Sequence, residues 1–253
     1  MSKKNAAKLE PPMKLGEGEW LKELKHIENE VIHLVDIFNF LQEMSRLGAE
    51  SEAAFDAFNA APLFWNVHRD CLQESMFMGL GRLCDPSPDA INLNRVLTTA
   101  MLHPEFFSER ALRRRLKERH LSKEQVDDIV ADAWMPKDRV DFKYLKKAVS
   151  FHLTRIEQIY RPIRNNHYGH RLTQRNIHAM FAKTNRKELS TTLDALHEVV
   201  SGLLCLHQNG VKPEIGVRDF EPYNDKIKGY ARSVIRKVAG RNLLNEPQCK
   251  KPD

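Results

Sequence analysis

The sequence predicts an all-α fold, on three observations. Glycine and proline are scarce, at 11 and 12 of 253 residues, where sheet proteins need more turn residues. Apolar residues recur at steps of three and four through several long segments, and no stretch alternates long enough to make a strand. A hydrophobic fraction of 42% over this length supplies one substantial core, or one core with an appendage.

Residues 1–16 read as a flexible lead, interrupted by Pro11, Pro12 and Gly16. From Glu17 to about Leu47, Leu24, Ile27, Val31, Leu34, Phe38 and Leu41 share one helix face, and Gly48 supplies a stop. Ser51 caps a short helix to Asn59. Pro62 opens the next, "PLFWNVHRDCLQESMFMGLGRLCD", whose polar positions Asn66, Arg69, Asp70 and Gln73 gather on one face. The rest of that segment is so apolar that it is expected at the centre of the core, with "DPSPDA" as the loop that ends it. Two more helices are expected over 92–102 and 105–120. The second carries Arg110, Arg113, Arg114, Arg115, Lys117 and Arg119, a run that reads first as a solvated face. Ser122 with Gln125 forms a capping-box signature for a helix through Trp134.

Val140 to Asn166 is the cleanest helical segment, with a stripe from Phe142 through Leu145, Val149, Leu153, Ile156 and Ile159 to Ile163. Pro162 lies inside it and predicts a kink or local break. A short helix around Ile177–Lys183 follows, then a long one closed by Asn209-Gly210. Beyond a loop, a basic amphipathic helix is expected over Asn224–Val238, and the end "NEPQCKKPD" as a disordered tail. The division expected is therefore a lead at 1–16, a helical domain at 17–210 and an appendage at 211–253.

With 40 basic and 34 acidic residues, the charge permits an anionic partner without demanding one. Four scattered cysteines form no CxxC pair and read as reduced thiols. The start has no apolar signal core, and no run reaches the roughly 18 apolar residues of a membrane span. A cytoplasmic protein without membrane contact is expected. No glycine-rich phosphate loop is present, and no compact set of four metal ligands, so neither cofactor nor metal is expected.

One stretch carries chemistry: "YRPIRNNHYGHRL", Tyr160 to Leu172. Arg164 offers a permanently charged planar fork that fits a phosphate. His170, or His167 three residues after Arg164, can carry a proton near neutrality. Asn165 can hold a phosphate oxygen or fix a histidine tautomer. Tyr168 can stack on a base or fill core, and Arg161 and Arg171 are further candidates for RNA contact. On a continuous helix Arg164 and His170 point well apart, so they converge only if the helix bends or ends, or if two copies face each other. Basic residues at a helix C-terminus also complement its dipole with no catalytic role.

"RNNHYGH" resembles the signature of the HEPN superfamily: Arg, a polar neighbour, four to six intervening residues, then His. The helix ending "RLCDP" followed by "INLNRVL" is similar to the upstream part of the abortive-infection AbiU-type branch, and the likeness covers roughly residues 20–210. The resemblance implies a HEPN-like helical bundle with additional helices, commonly a homodimer with both motifs at the interface. It also implies a metal-independent endoribonuclease in toxin–antitoxin or phage-defence systems. Carried onto this chain, Arg164 would stabilise the phosphate, His170 would be the acid/base and Asn165 the polar neighbour, with His167 a competing proton carrier. RNA and an antitoxin-like protein are the partners implied. The alternative is a non-catalytic helical module binding a nucleotide, RNA or a partner protein.

Overall fold

A computed structural model describes residues 15–87, 89–169, 177–216 and 220–239. His170 and Arg171, the flexible lead as far as residue 14 and the expected tail lie outside the described residues. Among those described, all regular structure is helical, as the sequence predicts.

The organising element is α1, Glu17–Glu50. Its 34 residues extend about 51 Å at the usual helical rise. It passes through Gly48, which faces the Phe58 ring and is no stop. Trp20, Leu24, Ile27, Val31 and Leu34 are almost wholly buried along it. The Trp20 indole N–H donates to the Val96 carbonyl at 3.1 Å, which ties α1 to α4, Leu93–Leu102. Ser51 caps α2, Glu52–Ala60, by accepting from the Ala54 N–H. Pro62 starts α3, Pro62–Leu83.

The core reading of α3 holds for only half of it. Met76, Phe77, Leu80 and Leu83 are buried, but Leu63, Phe64 and Val67 are 78%, 55% and 53% exposed. The first turns of α3 lie at a corner with α2, beyond the reach of the bundle, and only Trp65 turns inward there.

Where one helix was expected over 105–120 there are two elements, a 3₁₀ turn at Pro104–Phe107 and α5, Glu109–Glu118. Ser108 divides them: its hydroxyl donates to the Glu105 carbonyl and accepts from the Ala111 N–H. Four arginines of this basic run are engaged within the protein. Arg114 and Arg115 both pair with Glu17 at the start of α1, Arg113 with Glu109 and Asp127, and Arg119 with the Gln208 carbonyl and the Asn209 side chain. Helix α6, Lys123–Ala131, starts with the expected reciprocal bonds between Ser122 and Gln125 and stops short of Trp134.

Helix α7, Lys143–Arg155, continues into a π-helical segment at Ile156–Tyr160, a short α8, Arg161–Ile163, and a second π-helical segment at Arg164–Gly169. The predicted disturbance at Pro162 is thus a pair of widened turns on either side of it. Proline supplies no N–H to the i→i+4 ladder, and the backbone re-bonds over five residues, as from the Arg161 N–H to the Ile156 carbonyl. The widening moves the buried position from the expected Ile159 to Tyr160, while Ile156 and Ile163 remain buried.

Helix α9, Ile177–Phe181, precedes α10, Arg186–Asn209, which ends at Gly210 with φ of 69°, a left-handed stop suited to glycine. By length and composition α10 could cross a membrane, but Leu196, Val199, Val200 and Leu203 bury one face of it in the core. Helix α11, Glu221–Ala239, lies along α1. Asn39 donates to Asn224 at 2.8 Å, the Tyr223 hydroxyl to Asp36 at 2.7 Å and Arg232 to the buried Glu43 at 2.9 Å. Ala231 and Ile235 are buried.

Candidate functional site

The C-terminal end of α3, the loop after it and the widened end of the α7–α8 rod meet around Arg164. Two glycines of α3 make the meeting possible. A Cβ on Gly79 would stand 2.6 Å from both Leu34 and the Glu30 carboxylate, so Gly79 admits α1. A Cβ on Gly81 would stand 2.2 Å from Arg164 Cδ and 2.9 Å from its Nη1, so Gly81 leaves the trough in which the Arg164 stem lies. The side chain is 23% exposed.

The carboxylate beside Arg164 belongs to Asp85, with Oδ2 3.7 Å from Nη1. That is close enough for charge attraction and too long for a hydrogen bond. No acceptor among the described residues therefore occupies the Arg164 N–H donors. Asp85 is held from both sides. Its Oδ1 accepts from the Ser87 N–H at 3.0 Å, and its carbonyl accepts from the Asn92 side chain at 2.8 Å. Asn92 in turn caps α4, accepting from the Arg95 N–H at 2.8 Å. The neighbouring Arg82 pairs with Glu30 at 2.6 Å and is engaged elsewhere. Cys84 is half-buried beneath this loop; burial pushes its thiol up to about 12, Glu157 adds to the effect, and the Arg161 charge opposes it.

The rest of the motif is arranged around Phe77. Its ring meets Tyr168 at 5.5 Å nearly parallel, Phe181 edge-on at 5.4 Å and Tyr160 at 5.9 Å. Tyr168 therefore packs on a protein ring, half-buried, and burial with nearby Asp70 and Glu74 pushes its hydroxyl up to about 12. His167 is exposed but braced, its ring edge-on to Tyr168 at 4.6 Å and to Phe181 at 5.6 Å. Asn165 is exposed, and Arg161 is half-buried on the α3 side of the rod, near Cys84. Asn166 donates to the Pro162 carbonyl at 2.6 Å, so the second asparagine of the motif holds the widened turn.

Arg164, His167 and Asn165 thus share one surface-reaching segment, with Arg161 and Tyr168 packed behind it. Sequence reasoning missed Asp85, Gly81 and Asn92. The signals were present in "GLGRLCDP" and "INLN": closely spaced glycines near a helix end, then an aspartate before proline and a capping asparagine.

These are the segments in which a family pattern was legible, and comparison with known proteins agrees. Neither a curated protein nor a solved structure matches the chain. The family profile described as AbiU2, a HEPN domain, matches residues 17–233, from the first residue of α1 to within α11. The match spans Gly81, Asp85 and the whole of the Arg164 segment, and the chain belongs to the AbiU2 family of HEPN-type modules.

Proposed function

We propose that this protein is a metal-independent endoribonuclease that cleaves RNA by attack of its own 2′-hydroxyl, within an abortive-infection or toxin–antitoxin system. The observation that carries the reading is Arg164. It is seated on Gly81 and steered by Asp85, and no acceptor among the described residues takes a hydrogen bond from it, which leaves its donor fork available to a phosphate. In the reaction the 2′-oxygen loses its proton to a histidine and bonds to the adjacent phosphorus. The 5′-oxygen then leaves with a proton, and a 2′,3′-cyclic phosphate remains. Arg164 stabilises the extra negative charge of the pentacoordinate phosphorus, where preorganised charge is worth most. His170, or the exposed His167 three residues from Arg164, carries the proton, and Asn165 steadies a phosphate oxygen. Two copies facing each other complete the proposal; the exposed apolar corner of Leu63, Phe64 and Val67 supports association.

Purified protein is expected to cut RNA in EDTA and to leave 2′,3′-cyclic ends. Arg164→Ala should lower the rate by about 10²–10³, and Arg164→Lys should recover only part of it, because the fork is lost. His170→Ala and His167→Ala, measured separately, identify the proton carrier. Cleavage by Arg164→Ala at the unaltered rate removes the proposal.

One observation favours a second reading, binding without cleavage: the Asp85 carboxylate offsets the Arg164 charge. RNA binding that weakens steeply with salt, with no cleavage products, would select it.

A further inference from the structure

Away from Arg164, α1, α2, α3 and the start of α10 enclose a groove of about 770 Å³, the size of a small-molecule site. Its floor is apolar, with Phe38, Met44 and Met76 buried. Its aromatic wall is Trp65, 6% exposed, with Phe58 edge-on to it at 4.8 Å.

Most polar groups of the groove have no hydrogen-bond partner among the described residues. The side-chain amides of Gln42, Asn59, Asn66 and Gln73 line it, and none is hydrogen-bonded to another group among the described residues. The Trp65 indole N–H is buried with no hydrogen-bond partner among the described residues. A buried donor left unsatisfied costs about 1–3 kcal/mol, so it marks a place where an acceptor is wanted. Two arginines flank these groups. Among the described residues, Arg186 is held by one bond to Ser45 at 3.1 Å, and Arg69 has only a long pairing of 3.5 Å with exposed Asp70. No carboxylate lines the groove among the described residues.

Each part answers one part of a nucleotide. Amides present a donor beside an acceptor, as base edges do. An aromatic wall gives a base something to lie against. A guanidinium fork fits a phosphate. We infer that this groove binds one unpaired nucleotide, its base among Trp65, Phe58 and the amides, its phosphate at Arg69 and Arg186. The inference rests on the ribonuclease reading for the source of that nucleotide. From Gln73 to Gly81, where Arg164 is seated, α3 rises about 12 Å, a span that a few nucleotides of one strand cover. The groove would then choose which RNA sequence reaches Arg164.

The test is a tryptophan-fluorescence titration of the full chain with a single-stranded oligoribonucleotide and, separately, with each of the nucleoside monophosphates. Saturable change with the oligoribonucleotide is expected, lost as a signal in Trp65→Phe. Affinity should fall at least tenfold in Arg69→Ala/Arg186→Ala, whose altered side chains are exposed and leave the fold intact by circular dichroism. Response to the oligoribonucleotide alone assigns the groove to an RNA strand; response to a monophosphate as well shows that a free nucleotide suffices. No response to either, or unchanged affinity in the double variant, overturns the inference. Arg164→Ala separates the two readings. If groove binding is present in the parent protein and in Arg164→Ala, and the parent protein itself yields no cleavage products, the ribonuclease reading falls and the groove stands. If cleavage proceeds and neither affinity nor the mapped cleavage positions change in the double variant, the groove falls and the ribonuclease stands.

Discussion

At position 81 a single methyl group decides whether Arg164 can lie down. Gly81→Ala would force the arginine stem to move, because its Cδ stands 2.2 Å from where that methyl would be. RNA cleavage is expected to fall at least tenfold, with a modest change in melting temperature, since the displaced atoms belong to a flexible and partly exposed side chain. Gly79→Ala provides the contrast. Its methyl would strike Leu34 and Glu30, inside the packed contact of α3 with α1. That overpacking is expected to destabilise by about 1–3 kcal/mol, read as a lowered denaturant midpoint. Arg164 was legible in the sequence because arginine near histidine is a recognisable chemical pair. The role of Gly81 was not, because a glycine announces only that a side chain is missing and never what fills the space. Asp85 escaped for a related reason: its partner is 79 residues away in the chain, and nothing in spacing along one helix reaches it.

Among the elements, the starts marked by a serine cap or a proline were legible, whereas the helices expected from 105, 140 and 224 begin at Glu109, Lys143 and Glu221. Ser51 and Ser122 mark starts by accepting from an N–H three residues on, and Pro62 by its fixed backbone angle. Ends depend on what the chain meets in space. Helix α1 runs through Gly48 because Phe58 packs there, and the apolar first turns of α3 remain outside the core because α2 carries them to a corner. The loop between α3 and α4 combines both kinds of information in Asn92, which caps α4 and holds the Asp85 carbonyl. Asn92→Ala should remove about 0.5–2 kcal/mol, or a few degrees of melting temperature. Asn92→Asp keeps the cap acceptor but loses the donor to Asp85. It should therefore melt nearer to the parent protein while still losing RNA cleavage, and equal activity in Asn92→Asp would show that the loop does not position Asp85.

For the whole molecule, the closure of α1 against α5 and α10 sets the response to acid. His207 is buried, with Nε2 3.0 Å from Glu17 Oε1, and its Nδ1 has no hydrogen-bond partner among the described residues. Those contacts suit a neutral ring that donates from Nε2 and leaves Nδ1 as a bare acceptor. Burial, with the Arg115 charge, pushes the imidazole down to about 4, against the opposing pull of Glu17. Glu17 is also lowered: burial raises it, but hydrogen bonds from Arg114, Arg115 and His207 outweigh that. A depressed value in the folded state means that the unfolded chain takes up the proton first. The contribution of His207 is present above about pH 6.5 and is lost as pH falls towards 4. Its full size is roughly 3 kcal/mol. Urea midpoints measured from pH 8 to 4 should be level at first and then decline, and His207→Gln should flatten the decline between pH 6.5 and 4.5. An identical decline in that variant would assign the acid response to other groups.

The pair of π-helical segments around Pro162 bears on how this motif can vary through descent. A bond that spans five residues instead of four is an α-helix carrying one supernumerary residue, absorbed locally. Ile156 and Ile163 stay buried across the first segment, and the second runs from Arg164 to Gly169. The stretch between arginine and histidine can therefore gain or lose a residue without rotating the anchoring stripe. A signature that tolerates four to six intervening positions is what such a slack coil permits.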